Sequence, residues 1–281
     1  MTNDEFDFLC KLLRDRSGLV VTRDKAYLLE SRLLPIARKH GLKSLDELAA
    51  VVRARPIGDL VREIVEAMTT NESSFFRDIK PFDQFKSFVL PTLMKARAQR
   101  RQIRIWSAAC SSGQEPYTLA MMFAEQKAAL ADWSFEIVAT DLSTEILEKA
   151  EAGLYSQFEV QRGLPIQLLL KYFKQQGERW QIDAGLRSRV RFKQFNLLDD
   201  PASLGVFDAI FCRNVLIYFD QATKTQVLER LSRVLAADGY LYLGGAETVL
   251  GISERFQPVA DNRGIYAPVP PMAQPQRLAV G

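Results

Sequence analysis

From residue 3 to residue 68 apolar side chains recur three and four positions apart in short blocks: Phe6, Leu9, Leu12 and Leu13, then Tyr27, Leu28, Leu33 and Leu34, then Leu45, Leu48, Val51 and Val52. That spacing belongs to helices that bury one face, and it predicts a small all-helical domain over residues 1–68. Ser44 with Glu47 reads as a capping box opening the third helix, Gly41 as the stop of the second, and Pro35 as a kink or interruption within it. Residues 69–78 form a linker. Phe82, Phe85 and Phe88 then mark a helix whose aromatic face packs on the elements C-terminal to it.

From residue 103 onward the chain alternates between two periods. Strand patterns at 103–106, 135–140, 207–212 and 240–243 are interleaved with helix patterns at 115–127, 143–152 and 221–235. Strands alternating with helices predict an α/β fold with a doubly wound, mainly parallel sheet over 79–267. Between about 155 and 195 the alternation breaks. A short helix pattern at 165–173 precedes two period-two runs, 179–182 and 189–195, which read as the antiparallel hairpin of an inserted β-subdomain. On that hairpin Arg187, Arg189, Arg191 and Lys193 would share one face while Val190 and Phe192 take the other. After Pro268, three further prolines and few apolar anchors suggest a disordered tail over 268–281.

Composition narrows the class. With 281 residues, 47% of them apolar, the chain can bury a full core. No apolar run approaches the ~18 residues that span a bilayer, and the acidic start from Met1 to Cys10 has no signal-peptide core, so neither insertion nor secretion is expected and the cytoplasm is. Three widely spaced cysteines (Cys10, Cys110, Cys212) and one histidine (His40) argue against a metal site or a Ser-His-Asp triad. The 155–195 insert carries eight Lys/Arg against three Asp/Glu, although the whole chain is only +3.

Polar residues cluster just past the strand ends, where doubly wound sheets bind ligands: Ser107 to Glu115 after the first strand, Asp141 after the second, Arg213 and Asn214 after a later one. The first of these loops has a single glycine, Gly113, too few for a pyrophosphate nest. S-adenosylmethionine (SAM) carries no phosphate; its sulfonium, ammonium and ribose diol call for acceptors. Asp141 suits a vicinal diol and Glu115 an ammonium group. Each also has a plain structural role, Glu115 as an acidic residue in a first helical turn.

Three stretches, Thr70-Asn71-Glu72-Ser73-Ser74-Phe75-Phe76-Arg77, the run from Trp106 to Pro116, and Phe211-Cys212-Arg213-Asn214, resemble the chemotaxis receptor methyltransferase (CheR) family. The resemblance extends over about residues 5–267. It implies transfer of a methyl group from SAM to glutamate carboxylates in the cytoplasmic helical region of chemoreceptors, giving methyl esters and S-adenosylhomocysteine. It further implies cofactor contacts from Asn71, Ser73, Arg77, Glu115, Asp141, Asn196, Leu197, Arg213 and Asn214, with Arg77 and Tyr218 nearest the chemistry. Family members commonly have threonine at Ser73, which keeps the hydroxyl. Where many have Gly-His-Ser-Glu near the last strands this chain has Gly245-Ala246-Glu247, so no role passes to a histidine. In the family the insert contacts the receptor, and in some members it holds a C-terminal receptor pentapeptide. Between Phe173 and Asn196 this chain is a few residues shorter than such members, which implies no tether. A monomer without metal, nucleic acid or membrane insertion completes the expectation. Two other readings stay open at this point: a methyltransferase of the same fold with another acceptor, RNA included, though the basic insert lacks interleaved aromatic residues, and a non-catalytic adaptor that binds the cofactor or its product as a signal.

Overall fold

The computed structural model describes residues 1–56, 58–126 and 130–270; residues 271–281 of the expected tail and Lys127 of the expected helix lie outside them. Four helices form the N-terminal unit: α1 (Asn3–Ser17), α2 (Ala26–Lys39), α3 (Leu45–Ala54) and α4 (Asp59–Met68). Thr2 caps α1 in a reciprocal capping box with Glu5, and left-handed Gly18 (φ 78°) ends it. Ser44 caps α3 by accepting from the Glu47 amide, but the Glu47 carboxylate reaches one residue further back, to the Lys43 amide at 2.7 Å. Pro35 does not interrupt α2, which runs through it to Lys39. Leu9, Leu13, Leu29, Leu33, Leu48, Val52 and Ile64 meet in a closed core, whereas Tyr27 and Val51 face solvent.

After the linker come α5 (Lys80–Gln84), a π-helical turn at Phe85–Val89 and α6 (Leu90–Ala96). Phe82 and Phe85 are fully buried here, against Phe211 and Tyr242 of the sheet; Phe88 packs from the edge against Tyr240. The sheet has seven strands in the order β6-β2-β1-β7-β8-β10-β9. They are β1 (Gln102–Ala108), β2 (Ser134–Asp141), β6 (Val190–Gln194), β7 (Phe207–Cys212), β8 (Leu235–Leu243), β9 (Phe256–Pro258) and β10 (Ile265–Pro268). The first five pair in parallel and the last two are antiparallel. Helices α7 (Gln114–Glu125), α8 (Thr144–Ala152) and α12 (Gln221–Val234) connect them, and apolar clusters fill both faces. The chain winds from β1 to β2 to β6 on one side, then returns to β7 on the other. The crevice this leaves lies beyond the carboxyl ends of β1 and β7.

The inserted subdomain is a separate antiparallel sheet, β3-β5-β4, made of β3 (Leu154–Ser156), β4 (Phe173–Gln176) and β5 (Arg179–Ile182), with α9 (Gln157–Gln161) and α10 (Ile166–Tyr172) between β3 and β4. This corrects the expected hairpin of 179–182 with 189–195. The second run is β6, which leaves the insert and pairs in parallel with β2, Val190 opposite Ile137 and Phe192 opposite Ala139. Period two reveals a strand and its two faces but not its partner. Val190 is buried and Phe192 packs at 5.6 Å on the Tyr117 ring, so burial of their shared face draws the strand onto the main sheet. Of the expected row of four cations only Arg191 and Lys193 still share a strand face, exposed on β6. Arg187 ends the short helix α11 (Ala184–Arg187), Arg189 sits in the turn after it, and on β6 Arg191 pairs with Glu136 at 3.0 Å.

Candidate functional site at the switch point

Where β1 ends, the chain makes a compressed turn before α7. Ala109 (φ 58°), Ser111 (φ 51°) and Gly113 (φ 89°) all lie in the left-handed region, a costly conformation for the two that carry side chains. At Gly113 a Cβ would come within 3.1 Å of Ala150 and Tyr117, so this position needs glycine for space as well as for backbone. The turn is held from β2. The Cys110 amide donates to the Thr140 carbonyl at 2.9 Å, and the Ser111 amide donates to Asp141 Oδ2 at 2.8 Å. Asp141 Oδ1 accepts from the Ser143 amide at 3.1 Å. Each carboxylate oxygen keeps a free acceptor direction. Burial pushes the Asp141 carboxyl above the usual range, against the pull of those amides.

Glu115 stands in the first turn of α7, its side chain 12% exposed. Its Oε1 accepts from the Ser107 hydroxyl and its Oε2 from Arg213 Nη1, both at 2.8 Å. Burial raises its carboxyl; the Arg213 charge pulls it back down. Arg213 follows β7 directly, and its side chain is 2% exposed. Nη2 donates to Asp78 Oδ2 at 2.7 Å and to the Arg77 carbonyl at 2.9 Å, while Nε is buried without a partner. The guanidinium also lies 5.5 Å from the centre of the Phe82 ring. Arg213 thereby ties the linker to α7. Arg77 is freer: its Nη1 donates only to the Glu72 carbonyl, at 2.9 Å.

A cleft opens at this point. Asn71, Ser73, Arg77, Glu115, Asp141, Asn196, Leu197, Arg213, Asn214 and Tyr218, expected from sequence to form a site, all line it. Not all of them present a free polar group. The Asn196 amide donates to the Arg16 carbonyl at 2.7 Å and accepts from the Leu198 amide, and Asn71 Nδ2 donates to the Thr69 hydroxyl. Leu197, Phe195 and Val215 supply apolar wall.

Four residues that the sequence reading did not name individually also contribute. Ser17 and Leu19 of the helical unit form part of the wall. Ser111 donates its hydroxyl to the Asn71 carbonyl at 2.9 Å and so joins two of the motifs. Glu247 binds the amides of the Asn214 loop. A carboxylate just past a glycine pair was the only signal for the last of these; Ser17 and Leu19 had none, and Ser111 stood unremarked within the polar run after β1. Among the described residues no group of three or more His, Cys, Asp or Glu is placed to hold a metal.

A doubly wound sheet whose switch-point cleft offers buried carboxylates and apolar wall, with one glycine in its first loop, defines a nucleoside-binding protein of the SAM-dependent methyltransferase type. Residues 71–265 match the family described as CheR methyltransferase, SAM binding domain, and residues 4–69 match the CheR methyltransferase, all-alpha domain. The chain belongs to the CheR methyltransferase family. It is 42% identical over 267 residues to chemotaxis protein methyltransferase Cher2 of Pseudomonas putida and 44% identical over 267 residues to chemotaxis protein methyltransferase 1 of Pseudomonas aeruginosa, in each case covering 94% of this chain and 97% of the relative. A chemotaxis protein methyltransferase 1 of Vibrio cholerae is 39% identical over 268 residues, 94% of this chain and 96% of its own.

Proposed function

We propose that the cleft holds SAM with its ribose diol on Asp141, its amino acid end between Glu115 and Arg77, and its adenine against Asn196 and Leu197, and that a chemoreceptor glutamate enters beside Tyr218. The residues present fit such a ligand: two buried carboxylates with free acceptor directions for diol and ammonium, and an arginine with unused donors for a carboxylate. Asn71, Ser73 and Asn214 complete the wall, and Arg213 acts through Glu115 and the linker. The observation that carries the reading is the convergence, in one crevice beyond β1 and β7, of residues from three stretches up to about 140 positions apart.

SAM supplies an electrophilic methyl group on a cationic sulfur. A glutamate carboxylate is already ionised at neutral pH, so the chain needs no strong base or metal to generate its nucleophile. As its oxygen bonds to the methyl carbon the carbon–sulfur bond breaks, leaving a methyl ester and neutral S-adenosylhomocysteine. What the protein contributes is alignment. Fixing the acceptor oxygen behind the methyl group is worth up to roughly 7–11 kcal/mol of the barrier; in this reading Tyr218 orients that carboxylate, while Arg77 holds the carboxylate of SAM beside it. On the same reading the enzyme works in the cytoplasm as a monomer and without a pentapeptide tether.

The test combines calorimetry of SAM binding with transfer of labelled methyl groups to purified receptor fragments. Base-labile label on receptor glutamate is expected. Label on a different acceptor, or binding without transfer, would overturn the reading.

A further inference from the structure

At the ends of β7 and β8 the sheet stops abruptly, although Cys212 and Leu243 are still paired in register. Beyond them the pairing ends, and five amides are left without main-chain acceptors: those of Gly244 and of Asn214 to Ile217. One carboxylate takes all five. Glu247 Oε2 accepts from the Gly244 amide at 2.6 Å and the Asn214 amide at 2.8 Å. Its Oε1 accepts from Val215 at 2.9 Å, Leu216 at 2.7 Å and Ile217 at 3.3 Å. The packing around it leaves no slack. Asn214 is held left-handed (φ 58°), and a Cβ on Gly244 would meet Asn214 Nδ2 and Glu247 Oε2 at 2.7 Å.

The loop so held carries the groups that matter most in the cleft: Arg213 at its start, Asn214 within it, and Tyr218 at the end of the 3₁₀ turn Leu216–Tyr218. We propose that Glu247 is a positioning residue for methyl transfer, fixing the Asn214–Tyr218 loop so that Tyr218 and Asn214 meet cofactor and acceptor in reacting geometry. Glu247 does not line the cleft and touches neither ligand. Its effect passes through main-chain amides, and charge makes a carboxylate stronger there than a neutral amide.

The inference rests on the reading of the cleft as a SAM site. Glu247→Gln keeps the size and one oxygen but sets an NH₂ group against amides that need an acceptor; Glu247→Ala removes both oxygens. Misplacement of reacting groups by about 1 Å costs on the order of 10²-fold in rate. The Gln variant is therefore expected to stay folded by circular dichroism yet to lose at least about tenfold in kcat for receptor methylation at saturating SAM, with a rise in the Kd for SAM. The Ala variant is expected to lose more in both. A purely structural role would lower Tm while leaving kcat per folded molecule unchanged. A folded Gln variant with wild-type kcat and Kd overturns the proposal even if the Ala variant fails to fold. Failure of the wild-type protein to bind SAM by calorimetry would instead remove the cofactor reading itself.

Discussion

Asp141 has two tasks that one substitution separates. It faces the cleft, and it also binds the Ser111 and Ser143 amides. Asp141→Ala should weaken SAM binding by roughly 1–3 kcal/mol, the range for removing a charged hydrogen-bond partner, and should lower Tm because two amides lose their acceptor. Asp141→Asn should retain much of the stability but not the affinity; calorimetry beside thermal melts tells the two apart. Arg213 and Arg77 contrast in the opposite sense. Removing Arg213 leaves Glu115 buried without its counter-charge, a loss of about 3–5 kcal/mol that urea unfolding would measure. Arg77→Ala should scarcely change stability, yet reduce SAM affinity or turnover far more than Arg101→Ala, because Arg101 meets only exposed Asp132. The two buried carboxylates also fix a pH signature. Both are raised by burial, so their ionisation opposes folding: the stability they confer when protonated is complete below the unfolded values of about 3.9 and 4.3 and is lost as pH rises through the folded ones. The proposed binding mode needs the ionised forms. On acidification through the raised values the affinity should fall while these two groups' contribution to apo stability rises, so melting curves with and without SAM should converge. The carboxylates were legible in the sequence because each ends a strand or opens a helix. Glu247 was not, because its work is done through the backbone amides of residues far along the chain.

At the scale of elements, helix α8 begins with a cap borrowed from the other unit. Ser143 supplies the usual side-chain cap, but Glu66 of α4 accepts from the Thr144 amide at 3.1 Å and from the Thr144 hydroxyl. Glu66→Ala should cost about 1 kcal/mol, as for loss of an N-cap, and should show as a lower urea midpoint with an unchanged slope. Most elements could be read from periodicity alone, the parallel strands included. The pairing of β6 could not, since partner choice depends on where Val190 and Phe192 find cover. Of the subdomain's three strands only β5 was legible: β3 has three residues and β4 follows α10 with no turn residues between, so neither offers a pattern long enough to recognise. Gly163 marks how closely this insert is pressed onto the motif region, for a Cβ there would lie 2.1 Å from the Phe75 carbonyl.

Across the whole molecule the helical unit and the sheet share the cleft. Ser17 and Leu19 line it, Asn196 holds the Arg16 carbonyl, and a bridge joins Leu19 to Phe219. A ligand in that position binds both units at once. At one hundred times its Kd, SAM should stabilise the protein by about 2.7 kcal/mol, and calorimetric scans should show one transition moving upward; two transitions, of which only one moves, would mean that the units unfold independently.

The bridge has a consequence at the level of a single proton. The Val20 amide donates to the Tyr218 carbonyl at 3.0 Å across the seam between the units, and no helix or strand of its own unit shelters it. Its exchange with deuterium proceeds when that bond across the seam breaks, whereas amides inside α1 or β7 wait for their own element to open. Followed by magnetic resonance, that one signal would time the opening of the cleft directly, and its slowing on addition of cofactor would show the door being held shut from within.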